Sequence, residues 1–396
     1  MYNKTNTYRI NQKIVLNLSV FLAIFNFFFF TTTTNASDTV SFWNNHYPKY
    51  IKYLDLRIEN GVMIQKNGRG GELLNSSYYN GIDFRLGFRN SNPGDVYSNI
   101  YRHPYLGVGL YFSTFRNSDL GNPHAIYMFF THPFTFENNK NLTFSYTGAL
   151  GISFNFNPYD SIQNPANVLI GSYKNSYIHI GFLANYKFSD NWALNGTIGL
   201  KHFSNGSLKL PNYGLNIIPF TLGVSYKFSD YNVPKHKIQN PDFKNFSLFN
   251  LTAATGSKNY EANEPNCLKA MFEISYLYQF GYRYRAGLGL DMFYAAQSDL
   301  RNDSNESNFS KSFSFAVVGE WEWILTKKLY IPIGIGLYLH RNPENEERQP
   351  YYERIGVRYR ITDNFSTGLS IKAHKDIADF FEFTLGYTFH KDPNAY

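Results

Sequence analysis

Three side chains in one stretch of this chain have the types and spacing that acyl transfer requires. His202 and Ser204 lie two residues apart in an alternating segment, and Asn216 lies in the next one. Two residues apart on a strand means the same face, about 6–7 Å along it. A serine hydroxyl becomes a nucleophile when an imidazole takes its proton. A third group then has to hold the imidazole in the right tautomer and orientation. Spacing alone leaves a second reading open, in which His202, Ser204 and Asn216 are polar residues at the rim of a lipid-facing sheet.

Two adjacent strands are needed to bring the three together. Over Asn191–Asn205 the even positions run Trp192, Leu194, Gly196, Ile198, Leu200, His202, Ser204. Over Gly214–Phe228 they run Gly214, Asn216, Ile218, Phe220, Leu222, Val224, Tyr226, Phe228. Both even faces are apolar until the end where the polar groups appear. The odd faces carry Asn195, Thr197 and Lys201, and Thr221, Ser225 and Lys227. Period-two alternation makes each segment a strand with one apolar and one polar face.

The same pattern recurs along the chain, as in Asn141–Asn155, Phe313–Trp323 and Leu329–Leu339. Strands in soluble sheets have a mode of about five or six residues, whereas these run for ten or more. Aromatic residues make up 19% of the 396 and charged residues 17%, a balance that excludes a disordered, highly charged chain. After the N-terminal region no stretch approaches the roughly 20 apolar residues of a spanning helix. An apolar outer face and a small or polar inner face predict an all-β, antiparallel transmembrane β-barrel. About sixteen candidate strands suggest one barrel of 14–16 strands, with two eight-stranded units as the alternative. The segment Ser229–Lys244, with Pro234 and Pro241, separates two halves, 37–229 and 245–396. The turn sequence Tyr186-Lys-Phe-Ser-Asp-Asn-Trp192 resembles Tyr359-Arg-Ile-Thr-Asp-Asn-Phe365, which fits either a remote duplication or two hairpins answering the same chemical demand.

Residues 1–36 read as a secretory signal peptide. Lys4, Arg9 and Lys13 precede an apolar core over Ile14–Phe30, and Thr34-Asn35-Ala36 supplies a cleavage site. That predicts export to the bacterial outer membrane. The formal charge is +7, of which these 36 residues hold three lysine or arginine charges and no acid. The remaining +4 is too small an excess to predict nucleic-acid binding. A single cysteine, Cys267, excludes an internal disulfide or a multi-cysteine metal site. No spacing of His, Asp and Glu predicts a metal, and no cofactor is expected. His374 and Glu382, with Lys372 beside them, read as a lumen ion pair, and His340 also falls on lumen parity.

The stretch Lys201-His202-Phe203-Ser204-Asn205-Gly206 … Pro211-Asn212-Tyr213-Gly214-Leu215-Asn216 resembles the signature of PagL-type lipid A 3-O-deacylases. Their pattern is His-x-Ser-Asn followed by Pro-Asn-x-Gly-x-Glu, on the last two strands of an eight-stranded outer-membrane barrel. The resemblance covers roughly residues 50–229. The second half is similar, more loosely, to longer acyloxyacyl-hydrolase-like barrels through Tyr352-Glu-Arg-Ile-Gly-Val-Arg-Tyr359 and Lys372-Ala-His … Ala378-Asp-Phe-Phe-Glu382.

The resemblance implies Ser204 as nucleophile, His202 as general base, and Asn205 or Asn212 as donor to the oxyanion. It implies lipid A, or lipopolysaccharide of the outer leaflet, as substrate. Asn216 departs from the family, which has an acidic residue there. An amide accepts a hydrogen bond from histidine but brings no charge to an imidazolium. A non-enzymatic, porin-like barrel is the reading from another class, because about sixteen strands in one ring would enclose water.

Overall fold

The alternating segments form sixteen antiparallel strands in a computed structural model, which describes residues 48–64, 70–134, 141–231, 240–296, 312–375, 377–390 and 393–394. The signal-peptide reading of residues 1–36 and the polar loop Ser298–Ser310 lie outside these. The first eight strands are β1 (Tyr50–Ile64), β2 (Tyr79–Asn90), β3 (Tyr105–Thr114), β4 (Gly121–Pro133), β5 (Leu142–Phe156), β6 (Asn175–Lys187), β7 (Trp192–Ser204) and β8 (Leu215–Lys227). The second eight are β9 (Phe246–Lys258), β10 (Cys267–Gln279), β11 (Tyr284–Ala295), β12 (Phe313–Ile324), β13 (Leu329–His340), β14 (Tyr351–Arg360), β15 (Phe365–His374) and β16 (Ile377–His390).

The strands close into two rings of eight, so the single barrel of 14–16 strands gives way to the two-unit alternative. β8 returns to β1, from Tyr53↔Lys227 to Ile64↔Asn216. β16 returns to β9, from Phe383↔Thr255 to His390↔Leu248. The physical reason lies in the inward side chains. An eight-stranded ring has an interior just wide enough to be filled by them, and here they are large. Tyr111, Tyr127, Tyr177, Phe203, Arg85 and Lys201 are fully buried in the first ring, and Phe293, Tyr352 and Lys269 in the second. A ring of sixteen would leave these aromatic groups lining water.

Several buried charges are paired. In the first ring Lys201 Nζ lies 2.5 Å from Glu59 and 3.7 Å above the Tyr111 ring, and Arg85 pairs with Asp83 at 2.9 Å. In the second, Arg354 reaches Glu273 and Asp291 at 2.7 Å each and Glu382 at 3.0 Å. Lys258, Lys269 and Lys372 converge on Asp379. The expected pairing of His374 with Glu382 is absent: both point inward, but His374 Nε2 meets the Tyr338 hydroxyl at 2.8 Å while Glu382 belongs to Arg354. His340 is exposed rather than in the lumen, because a register shift between Phe315 and Ala316 sets it opposite the outward Phe315.

Leu54, Ile58, Phe182, Ile198, Leu222, Leu288, Ile335 and Leu385 are exposed on the outer faces, as a lipid-facing belt requires. One end of each ring carries tight connections, 188–191 in the first and 325–328 and 361–364 in the second, with 91–104 a longer one. The other end carries 157–174, 205–214 and 341–350, with 375–376 a short one. The rings touch at both ends. At the tight-turn end Trp323 Nε1 donates to the Tyr101 hydroxyl at 2.8 Å, which donates to Ile324 O at 2.5 Å. At the long-loop end Ser207 Oγ donates to Ala378 O at 2.7 Å and Asn266 Nδ2 to Leu208 O at 3.0 Å.

The two similar turn sequences are built alike. Phe188 N donates to Trp192 O (3.2 Å) and Ile361 N to Phe365 O (2.9 Å). Asn191 Nδ2 donates to Lys227 O (3.1 Å) and Asn364 Nδ2 to Thr388 O (2.7 Å). Trp192 packs on Tyr226 and Phe365 on Tyr387, each at 4.8 Å between ring centroids. Both turns join the sixth and seventh strands of their ring.

Two outcomes follow from filled interiors. Purified protein in planar bilayers is expected to give no steady channel current, and stepwise conductance would contradict the packing. Arg354→Ala leaves three buried carboxylates without their cation and is expected to destabilise the second ring by about 3–5 kcal/mol, read as a lower urea midpoint in detergent.

Candidate functional site

β7 and β8 leave their shared loop as direct partners, with His202 opposite Asn216. The parity of β7 is fixed by its inward residues, since Ala193, Asn195, Thr197, Lys201 and Phe203 are all buried. His202 and Ser204 therefore point out of the barrel. On β8 the buried Leu215 and Ile217 flank Asn216 and turn it outward too. His202 Nδ1 and Asn216 Oδ1 are 2.8 Å apart. With Nδ1–H donating to the amide oxygen, the imidazole lone pair lies on Nε2.

The long-loop end of this face is recessed. Leu200, one step down β7, is 39% exposed, while Ser204 is only 6% exposed. The connection 157–174 lies against the β7–β8 loop, with Gly214 N donating to Leu169 O at 3.0 Å. Ser176, opposite Ser204 on β6, donates through Oγ to Ser204 O at 2.7 Å and fixes the end of β7. A hydroxyl and an imidazole on a lipid face are costly unless partnered or sheltered, and here they are sheltered.

The two asparagines of the loop have different roles. Asn205 is buried and its side chain is committed. Nδ2 donates to Ser172 Oγ at 2.9 Å and Lys209 O at 2.8 Å, while Oδ1 accepts from Lys209 N at 3.3 Å. Asn205 N donates to Asn212 Oδ1 at 3.1 Å. A backbone N–H can only donate, so the Asn212 oxygen is the atom engaged and its NH2 group is turned the other way. The Asn205 side chain is thus taken up within the loop, while Asn212 is engaged there through its oxygen.

Sequence reasoning did not single out Gly214, Ser172, Asn259 or Phe381. Gly214 has φ +76°, and a Cβ there would lie 2.7 Å from His202 Cε1. It leaves room for the ring, a role its place in Pro-Asn-x-Gly could have signalled. Asn259 and Phe381 belong to the second ring and carry no local signal. Counted from the matched turns, the positions of His202 and Ser204 fall on Lys375 and Ile377 in the second ring, the first after the end of β15 and the second at the start of β16, so the similar turn is not followed there by the reactive groups.

Residues 82–225 match the family described as lipid A 3-O-deacylase (PagL), and residues 247–391 match the acyloxyacyl hydrolase C-terminal domain. Among solved structures, the outer membrane enzyme PagL is similar at 14% identity and a TM-score of 0.28, over 43% of this chain and 97% of that one. The Pseudomonas putida toluene transporter TodX is similar at 10% identity and a TM-score of 0.17, over 87% and 91%. No curated protein matches. The two family matches lie on the two rings and together take in more than half of the sequence. This chain belongs to the PagL-type lipid A 3-O-deacylase and acyloxyacyl hydrolase family of outer-membrane β-barrels.

Proposed function

We propose that this protein is an outer-membrane serine esterase that hydrolyses a fatty acyl ester of lipid A, using Ser204, His202 and Asn216. The observation that carries the reading is the outward 2.8 Å contact between His202 Nδ1 and Asn216 Oδ1, within the His-x-Ser-Asn segment of the matched family.

The chemistry runs in two halves. Ser204 Oγ attacks the ester carbonyl while His202 Nε2 takes its proton. Charge gathers on the carbonyl oxygen, where the Asn212 NH2 is the candidate donor. A donor placed at that atom contributes about 2.7–4 kcal/mol. The intermediate collapses by breaking the bond to the sugar oxygen, which leaves with the proton from His202. Water, deprotonated by the same imidazole, then attacks the acyl-serine, releases the fatty acid and restores Ser204. No cofactor takes part in this scheme. The substrate belongs in the membrane beside the barrel, so it approaches from the side.

Asn216 makes the reading testable beyond the nucleophile. As an amide it fixes the tautomer of His202 but offers the imidazolium no opposite charge. The porin-like alternative has no comparable support, since both interiors are filled.

Incubating purified protein with lipid A and weighing the product by mass spectrometry is expected to give a species one acyl chain lighter. Ser204→Ala is expected to abolish it, and a folded wild type without product sinks the proposal. Asn216→Glu supplies the missing charge and is expected to raise kcat at least tenfold, on the order of part of the ~10⁴-fold that an acid-to-amide change can cost. An unchanged or lower rate would show that the site is built around the amide.

A further inference from the structure

The loop that follows Ser204 is shaped by the other barrel. Gly206 and Ser207 are consecutive left-handed residues, with φ +61° and +66°. For serine that conformation costs roughly 1–2 kcal/mol. Such a residue persists where its surroundings over-determine it, and these cases cluster at working sites. Here the surroundings come from the second ring. Ser207 Oγ donates to Ala378 O at 2.7 Å, and Asn259 N donates to Ser207 O at 2.7 Å. A Cβ on Gly206 would lie 2.3 Å from the Phe381 ring, so that ring sits directly on the loop backbone.

Asn259 spans the loop. It is 2% exposed, and besides its bond to Ser207 O it accepts from Leu210 N through Oδ1 at 3.1 Å. Its Nδ2 is anchored on Glu264 O at 2.8 Å, within the second ring's own loop. Two points of the β7–β8 loop, three residues apart, are thus tied to a single buried residue of the neighbouring barrel, Ser207 O through the Asn259 backbone N–H and Leu210 N through its side chain. Between and beside them lie Asn205, Lys209 and Asn212, whose hydrogen bonds to one another set the direction of the Asn212 amide.

We infer that the second barrel is a working part of the esterase site, with Asn259 and Phe381 as positioning residues that hold the β7–β8 loop so that Asn212 faces the ester. This rests on the esterase reading above. Neither residue touches the reacting atoms. Both act through the loop, which explains why a ring lacking the reactive groups is joined to the ring that has them. The contribution belongs to the transition state: a donor displaced by about 1 Å can cost on the order of a hundredfold in rate while the lipid-binding surface stays intact.

The test uses the full chain in detergent micelles with lipid A as substrate. Asn259→Ala and Phe381→Ala are each expected to lower kcat on the order of tenfold to a hundredfold with KM within about twofold. Asn259→Asp keeps an acceptor for Leu210 N and is expected to restore most of the rate. Folding is checked by the shift in gel mobility on boiling. If Asn259→Ala does not reach the folded form, Phe381→Ala and Asn259→Asp carry the test. Wild-type kcat in both truncations, or a loss confined to KM, overturns the positioning role while the esterase reading stands. An inactive, folded wild type overturns both.

Discussion

In hydrocarbon every strand edge must find a partner, because an unpaired backbone N–H or C=O has no water to turn to. This chain meets that demand twice, by returning β8 to β1 and β16 to β9. Closing at eight strands sets the bore, and the bore sets what can fill it. Each interior is packed with tyrosine, phenylalanine and paired charges. The middle of each ring is therefore taken up by the protein's own side chains. The polar residues that break the lipid-facing alternation of β7 and β8 stand on the outer surface instead.

That placement was legible because it depends only on parity. A period of two sends His202, Ser204 and Asn216 outward once Lys201, Phe203, Leu215 and Ile217 go inward, and burial of those four residues bears this out. The strand count was legible for the same reason. Ring closure was not. Whether β8 pairs with β1 or with β9 is a contact across most of the chain, and no local pattern encodes it. The inner faces held a clue in Tyr111, Tyr127, Tyr177 and Phe203, which are too large and too apolar for the walls of a water-filled pore. Reading the inner face as small and polar overlooked them. His340 shows the limit of parity itself, since one register shift reversed its side.

The fine structure of the site was less accessible still. Asn205 and Asn212 were equivalent as sequence, and hydrogen bonds to Ser172, Lys209 and each other separate them. The turn that precedes β7 reappears before β15 with matching backbone bonds and a similar aromatic pair, yet the positions that hold the imidazole and hydroxyl in the first ring fall on Lys375, in the turn after β15, and Ile377, at the start of β16. The two turns share a frame, and the strands that follow them differ at their far ends. The second ring meets the first across Asn259, Ala378 and Phe381.

The two rings are fastened at both ends, through Tyr101 and Trp323 at one and through Ser207 and Ala378 at the other. A lone eight-stranded cylinder is slender and can lean in a bilayer as local thickness changes. Two cylinders bolted at top and bottom resist that lean in the plane that contains them both. The height of His202 within the leaflet is then set by the pair's combined belt rather than by one barrel's momentary slant. An ester bond lies at a defined depth below the sugar headgroup, and under the proposed function a site held at constant depth meets it at each encounter.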